Sequence, residues 1–141
     1  ESSTQIGSPV SPVKTEYDSL QDAFDACDIA GIKEPRWLPD GYAFMDCVTY
    51  SDENWTAISA GYMMQEDSLV VSANKGLATM GVYQKDSGDV EEFYTNGVRH
   101  YIFANNANRV AVWYRDNTEF MVSGPVSLES IKKIVESMYS E

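Results

Sequence analysis

Residues 90–124 read VEEFYTNGVRHYIFANNANRVAVWYRDNTEFMVSG, and the way this stretch folds back on itself decides the fold. Asn96-Gly97 is the dipeptide that a two-residue type I′ turn prefers, because both central residues need positive φ. It predicts a hairpin joining 90–95 to 98–104, with Glu92 opposite Tyr101. Asp116-Asn117 supplies a second such turn between 109–115 and 118–123. That register sets Trp113 against Phe120 and Ala111 against Val122 on one face, and Val112 against Met121 on the other. The Trp113 face carries the larger apolar surface and is expected to face the core. Two tight hairpins in succession predict an antiparallel sheet.

Toward the C-terminus, Gly124-Pro125 ends the sheet and Ser127 is placed to cap a helix. Leu128, Ile131, Ile134, Val135 and Met138 then form an apolar stripe, opposite the charged Glu129, Lys132, Lys133 and Glu136. Toward the N-terminus the signals are strand: an alternating run over 42–50, aromatic and β-branched runs over 55–63 and 69–73, and a turn at Gln65-Glu66-Asp67. Asp46 breaks the first alternation, so the pattern leaves the buried face of that strand open. Residues 74–89 read as a loop with one short strand near 80–83. Before the strands, Pro39-Asp40-Gly41 makes a corner, since Pro39 fixes its own φ and keeps Leu38 out of the helical region. Ser19 starts a short helix over 19–30, with Leu20, Phe24 and Cys27 on one stripe and Gly31 as the stop. Residues 1–17, polar and rich in Pro and Ser, read as a flexible linker, and 18–141 as a single domain. The expectation is an α+β fold: a curved antiparallel sheet of about six to seven strands, with an N-terminal and a C-terminal helix packed on one face.

The chain has 141 residues, 43% apolar and 23% charged, which suits one domain with a real core. Twenty-two acids against ten bases give a formal charge of -12, and such a surface repels phosphate. Nucleic acid and anionic bilayers are therefore not expected as partners, and no apolar run approaches the roughly 18 residues of a membrane span. The polar arm, starting without Met, reads as the beginning of a mature or excised fragment whose leader or anchor is missing. Cys27 and Cys47 are too few for a disulfide framework, and with a single histidine they make no structural zinc site. They either bridge, closing a loop worth roughly 3 kcal/mol, or sit as small buried hydrophobes.

Reaction chemistry leaves little trace. The one histidine, His100, lies mid-strand with Val98 and Ile102 on its own face, the setting of a half-buried structural residue. There is no Gly-x-Ser-x-Gly elbow and no phosphate-binding glycine loop, and each acid pair falls in a turn or on an exposed helix face. Asp86 to Glu92 is acidic enough to attract calcium but lacks the spacing of a calcium loop. Asn54-Trp55-Thr56 matches a glycosylation acceptor, a signal that matters only in a eukaryotic secreted protein. No catalytic, cofactor-binding or metal-ligating residue is assigned, and no cofactor is expected. The lead that remains is aromatic: Trp55, Tyr62, Tyr94, Tyr101 and Tyr114 form a candidate binding face on sheet surface that the helices leave uncovered. The alternative is that they are ordinary strand residues, where aromatic β-propensity alone would put them.

Two segments taken together resemble a known family. Glu34-Pro35-Arg36-Trp37-Leu38-Pro39-Asp40-Gly41-Tyr42 is similar to the P-x-x-L-P-x-G-Y opening of a group of bacterial extracytoplasmic domains. Asn96-Gly97, Trp113, Val122-Ser123-Gly124 and the run from Ser127 to Met138 resemble the same group's ending. The family is domain-of-unknown-function 4367, and the resemblance covers roughly residues 18 to 140. It implies an extracytoplasmic α+β domain of a membrane-anchored, anti-sigma-factor-like bacterial protein, and makes the Pro39 corner a structural signature. It assigns no catalytic or ligand residue. The expected function is a non-enzymatic sensing or binding module on the cell-surface or secreted side, contacting a protein or cell-envelope ligand, with no direct membrane insertion of this fragment. A structural spacer, or an enzyme of unfamiliar type using His100 with a carboxylate, are the alternatives.

Overall fold

Asp116 and Asn117 reverse the chain with φ of 53° and 62°, and Asn96 and Gly97 do the same at 53° and 76°. These are type I′ torsions, whose twist matches that of the strands they join. The computed structural model describes residues 12–76, 90–105 and 107–139. Around the two hairpins it builds an antiparallel sheet from β1 (Val13–Tyr17), β2 (Ala43–Ser51), β3 (Thr56–Met64), β4 (Asp67–Lys75), β5 (Glu91–Thr95), β6 (Val98–Asn105), β7 (Asn108–Arg115) and β8 (Thr118–Gly124). Among the described residues the order is β1-β2-β3-β4-β8-β7-β6-β5, so two meanders meet where β4 pairs with β8. Helices α1 (Leu20–Ala26) and α2 (Leu128–Ser137) complete an α+β fold. The hairpin registers are the expected ones: Glu92 faces Tyr101, Trp113 faces Phe120, Ala111 faces Val122 and Val112 faces Met121.

Among the described residues the sheet has 8 strands rather than six to seven. The additional strand is β1, which lies inside the stretch read as linker and pairs with β2 from Val13–Ser51 to Tyr17–Cys47. Its burial pattern leaves the first four residues exposed, so ladder hydrogen bonds rather than apolar burial hold it. That is why hydrophobic patterning gives it no signal. The short strand expected near 80–83 lies outside the described residues, as do Asp86 to Asp89 of the acidic segment.

One face of the sheet carries the main core. Across the ladder, Cys47, Ala60, Val71, Val122, Ala111 and Ile102 form one buried row, and Thr49, Ile58, Ala73, Phe120 and Trp113 form the next. Leu20, Ala23 and Phe24 of α1 and Ile131, Ile134 and Val135 of α2 belong to the same buried cluster as the apolar members of those rows. Phe24 meets Phe120 edge-on at 6.4 Å, and Trp113 stacks on Phe120 at 5.4 Å. The question left by Asp46 is settled by a bulge between Phe44 and Asp46, opposite Tyr62 and Gly61. The extra residue, Met45, shifts the alternation. Cys47 and Thr49 therefore point inward, while Met45 is 61% exposed.

Helix α1 starts as expected, with Ser19 Oγ accepting from the Asp22 N–H at 3.0 Å. It ends at Ala26 rather than near residue 30, and Asp28 (φ 60°), not Gly31, is the residue that stops it. The Asp28 N–H bonds to the Asp25 carbonyl and the Ile29 N–H to the Phe24 carbonyl at 2.9 Å, the paired bonds of a Schellman ending. Asp tolerates the left-handed region well enough to stand where glycine is usual. Lys75 Nζ donates to the Cys27 and Asp28 carbonyls at 3.0 and 3.3 Å and satisfies more of that end. Helix α2 begins at Ser127, whose Oγ accepts from Ser130, and buries Ile131, Ile134 and Val135.

The segment before β2 is tied to the far end of the chain. The Lys33 N–H donates to the Met138 carbonyl at 2.6 Å, and Ile32 bridges Tyr139. Arg36 Nε donates to the Ser137 carbonyl at 2.9 Å, and its Nη2 to the Tyr139 carbonyl. Ser137 Oγ accepts from the backbone N–H groups of Arg36 and Trp37 at 3.1 and 3.2 Å. Arg36 and Trp37 are thus half of a clasp around the end of α2, and the Pro39 corner then turns the chain into β2.

Candidate functional site

Strand register alone brings three tyrosines and an arginine together. Tyr94 on β5 pairs with Arg99 on β6, and Tyr101 pairs with Val112 on β7. Two residues along from that last pair, on the same face, are Arg99 and Tyr114. The result is an open depression of about 460 Å³ lined by Tyr94, Gly97, Val98, Arg99, Tyr101 and Tyr114. It lies on the face turned away from the main core. Tyr94 is 57% exposed and Tyr114 40% exposed, large values for aromatic strand residues.

Arg99 organises the patch. Its guanidinium carbon lies 5.1 Å from the Tyr94 ring centroid, its Nε donates to the Tyr94 hydroxyl, and Glu92 approaches at 3.7 Å. Hydrogen bonding to the Tyr101 and then the Tyr94 side chain raises the guanidinium pKa further, so the charge is permanent. At the other side Tyr114 donates its hydroxyl to Glu119 Oε2 at 3.1 Å. Burial, then the Glu119 charge, pushes the Tyr114 pKa up to about 12, so this phenol stays protonated. The patch presents ring faces, hydroxyls and one fixed cation, a combination suited to recognition.

Of the five aromatics singled out from the sequence, Tyr94, Tyr101 and Tyr114 converge here. Tyr62 does not: its ring is 4% exposed, on the core side of β3 and edge-on to Phe44. The alternation of β3 itself sets this, since Ile58, Ala60 and Tyr62 all turn to the core. Trp55 sits half-buried in the β2–β3 turn and does not line the depression. Arg99 was missed because a strand arginine looks like ordinary solvation until its cross-strand neighbours are known.

His100 is fully buried rather than half-buried. Its ring lies 4.8 Å from Trp113, 5.6 Å from Tyr139 and 5.7 Å from Phe93, centroid to centroid. Nδ1 lies 3.2 and 3.0 Å from the Phe93 and Val98 carbonyls, and Nε2 is 2.7 Å from the Tyr139 hydroxyl. Cys27 and Cys47 are free thiols, and burial pushes Cys47 up to about 11. A tighter recess of about 130 Å³ beyond α1 is lined by Lys75 and Arg115 among others, but both cations there hold backbone carbonyls. Among the described residues no group of three or more His, Cys, Asp or Glu is placed to hold a metal ion.

A family described as a domain of unknown function, DUF4367, matches residues 32–138. The chain belongs to that family. The matched span opens at the Ile32 bridge and closes at Met138, so both ends of the DUF4367 match are the two halves of the clasp. Strand β1 and helix α1 precede it. The tyrosine–arginine patch falls within it. No curated protein matches the chain. No helix among the described residues is long and apolar enough to cross a membrane.

Proposed function

We propose that this DUF4367 domain is a non-enzymatic binding or sensing module, and that it contacts its partner through the Tyr94–Arg99–Tyr101–Tyr114 face. The observation that carries this is the exposure of Tyr94 and Tyr114 around a pre-positioned guanidinium, on sheet surface that the main core does not use. Tyrosine and arginine supply large contact area at low conformational cost, which is why they dominate recognition surfaces. His100, the one histidine, is committed to packing and to backbone carbonyls, which favours the non-catalytic reading. The working location is extracytoplasmic, in a membrane-anchored bacterial parent, with a protein or cell-envelope component as the ligand. A net charge of -12 argues against nucleic acid as that ligand.

The test is retention of a specific component from the native envelope by wild-type protein and by a Tyr94→Ser variant. Because Tyr94 is 57% exposed, the variant should melt within about 2 °C of wild type, surface substitutions being nearly neutral. Loss of retention at unchanged stability supports the reading. Equal retention by the variant removes the face from the account.

A further inference from the structure

We propose that the β1 edge of the sheet is a self-docking surface: two copies of this chain pair their β1 strands antiparallel about Thr15 and join their sheets into one. Among the described residues β1 stands first in the strand order and pairs only with β2, so one row of its backbone N–H and C=O groups has no ladder partner. Such an edge is a ready template for another strand. Because α1 packs against three successive strands, β1, β2 and β3, it lies over the sheet and not beside that edge. Lys14 and Glu16 stand opposite Tyr50 and Val48, so β2 supplies neither with an opposite charge across the ladder. They touch only each other along the strand, at 3.8 Å, with side chains 52% and 75% exposed. Val13, opposite Ser51, is 63% exposed.

Reversed about Thr15, VKTEY is its own complement. Lys14 meets the partner's Glu16, Glu16 meets the partner's Lys14, Val13 meets the partner's Tyr17, and Thr15 meets the partner's Thr15. Opposite charges, and an aromatic against a β-branched residue, are favourable cross-strand pairs. A slide of two residues is the smallest that keeps the outward backbone groups facing each other. In either direction it sets Lys14 against the partner's Lys14 or Glu16 against the partner's Glu16, so the charges select one register. The two-fold axis stands perpendicular to the sheet, which keeps like faces together. Thr15 and Tyr17, paired with the inward Thr49 and Cys47, stay on the core side of both copies. The far edge offers no such match: reversed about Phe93, β5 sets Glu92 against Tyr94 and Glu91 against Thr95, and Lys132 already holds Glu91 at 2.6 Å. Five residues a side and a charge of -12 on each copy keep the association weak.

The test is sedimentation of the full chain from about 10 μM to about 1 mM, a range suited to so small a seam. Wild type should move from monomer toward dimer across it. Lys14→Glu and Glu16→Lys should each weaken association about tenfold, because each sets like charges opposite at both ends of the seam. Mixing the two variants, or combining both exchanges in one chain, should restore it. Both side chains are more than half exposed, so every variant should stay folded. A nonspecific charge effect gives the opposite sign for one of them: Glu16→Lys lowers the net negative charge and would then associate more tightly than wild type. Placement is read by NMR in a sample mixing isotope-labelled and unlabelled copies. A contact between the Val13 methyls and the partner's Tyr17 ring is expected, since within one strand the two lie about 13 Å apart. A monomer throughout the range, single exchanges without effect, Glu16→Lys associating more tightly, or a dimer lacking the contact from Val13 to the partner's Tyr17 would each overturn the proposal.

Discussion

Replacing Phe24 by Ala should cost about 4 kcal/mol, the middle of the range for emptying a buried phenyl site. Phe24 is fully buried and edge-on to Phe120 at 6.4 Å, so the aromatic pair itself supplies about 1 kcal/mol of that loss. The remainder is transfer and cavity. Helix α1 has 7 residues and cannot hold helical structure in water without its packing. Its buried residues are Leu20, Ala23 and Phe24, and removing the largest should let the helix lift. Cys47 reports the event, because it is 1% exposed within the same cluster and unreactive while burial keeps its thiol protonated. The assay pairs urea unfolding with thiol labelling of the native protein. Wild type should label at the half-buried Cys27 alone. The Ala variant should also label Cys47, at a rate raised at least roughly tenfold by local opening. Phe24→Leu, costing about 1 kcal/mol, should leave Cys47 protected. A loss below about 1 kcal/mol in the Ala variant, with Cys47 still unreactive, would refute the reasoning.

Other substitutions test other joints. Gly76→Ala should destabilise by about 1–3 kcal/mol, because Gly76 has φ 87° and a Cβ there would sit 2.5 Å from the Asn54 carbonyl oxygen; an unchanged urea midpoint would contradict it. Arg36→Ala should cost about 1–2 kcal/mol through two lost bonds to the Ser137 and Tyr139 carbonyls, read by the same titration. Lys75→Met keeps the apolar stem and removes the ammonium from the Cys27 and Asp28 carbonyls, so a loss of about 1 kcal/mol is expected.

What the sequence made legible was local and strongly patterned. Two left-handed dipeptides defined both C-terminal hairpins down to their facing pairs, and a stripe at helical spacing defined α2. The misses share one cause, that the deciding partner is distant in sequence. VKTEY is a strand because β2 lies beside it, and nothing in its own pattern says so. Helix α1 stops at Asp28 because Lys75, 47 residues on, helps receive its end, whereas Gly31 looked the better local stop. The alternation through 42–50 is broken by a bulge that only pairing with β3 reveals. For the candidate site, three of the five aromatics were legible because tight turns set their register. Arg99 became recognisable only beside Tyr94 and Tyr101.

The most direct measurement is photo-crosslinking in the native envelope, with the reactive group at position 94 and, as control, at position 50. Tyr50 is also well exposed but stands on β2, at the other half of the sheet. If the tyrosine–arginine face is the contact surface, position 94 should yield a discrete adduct that competes away with unmodified protein, and position 50 should not. Matching adducts from both positions, or none from position 94, would contradict it.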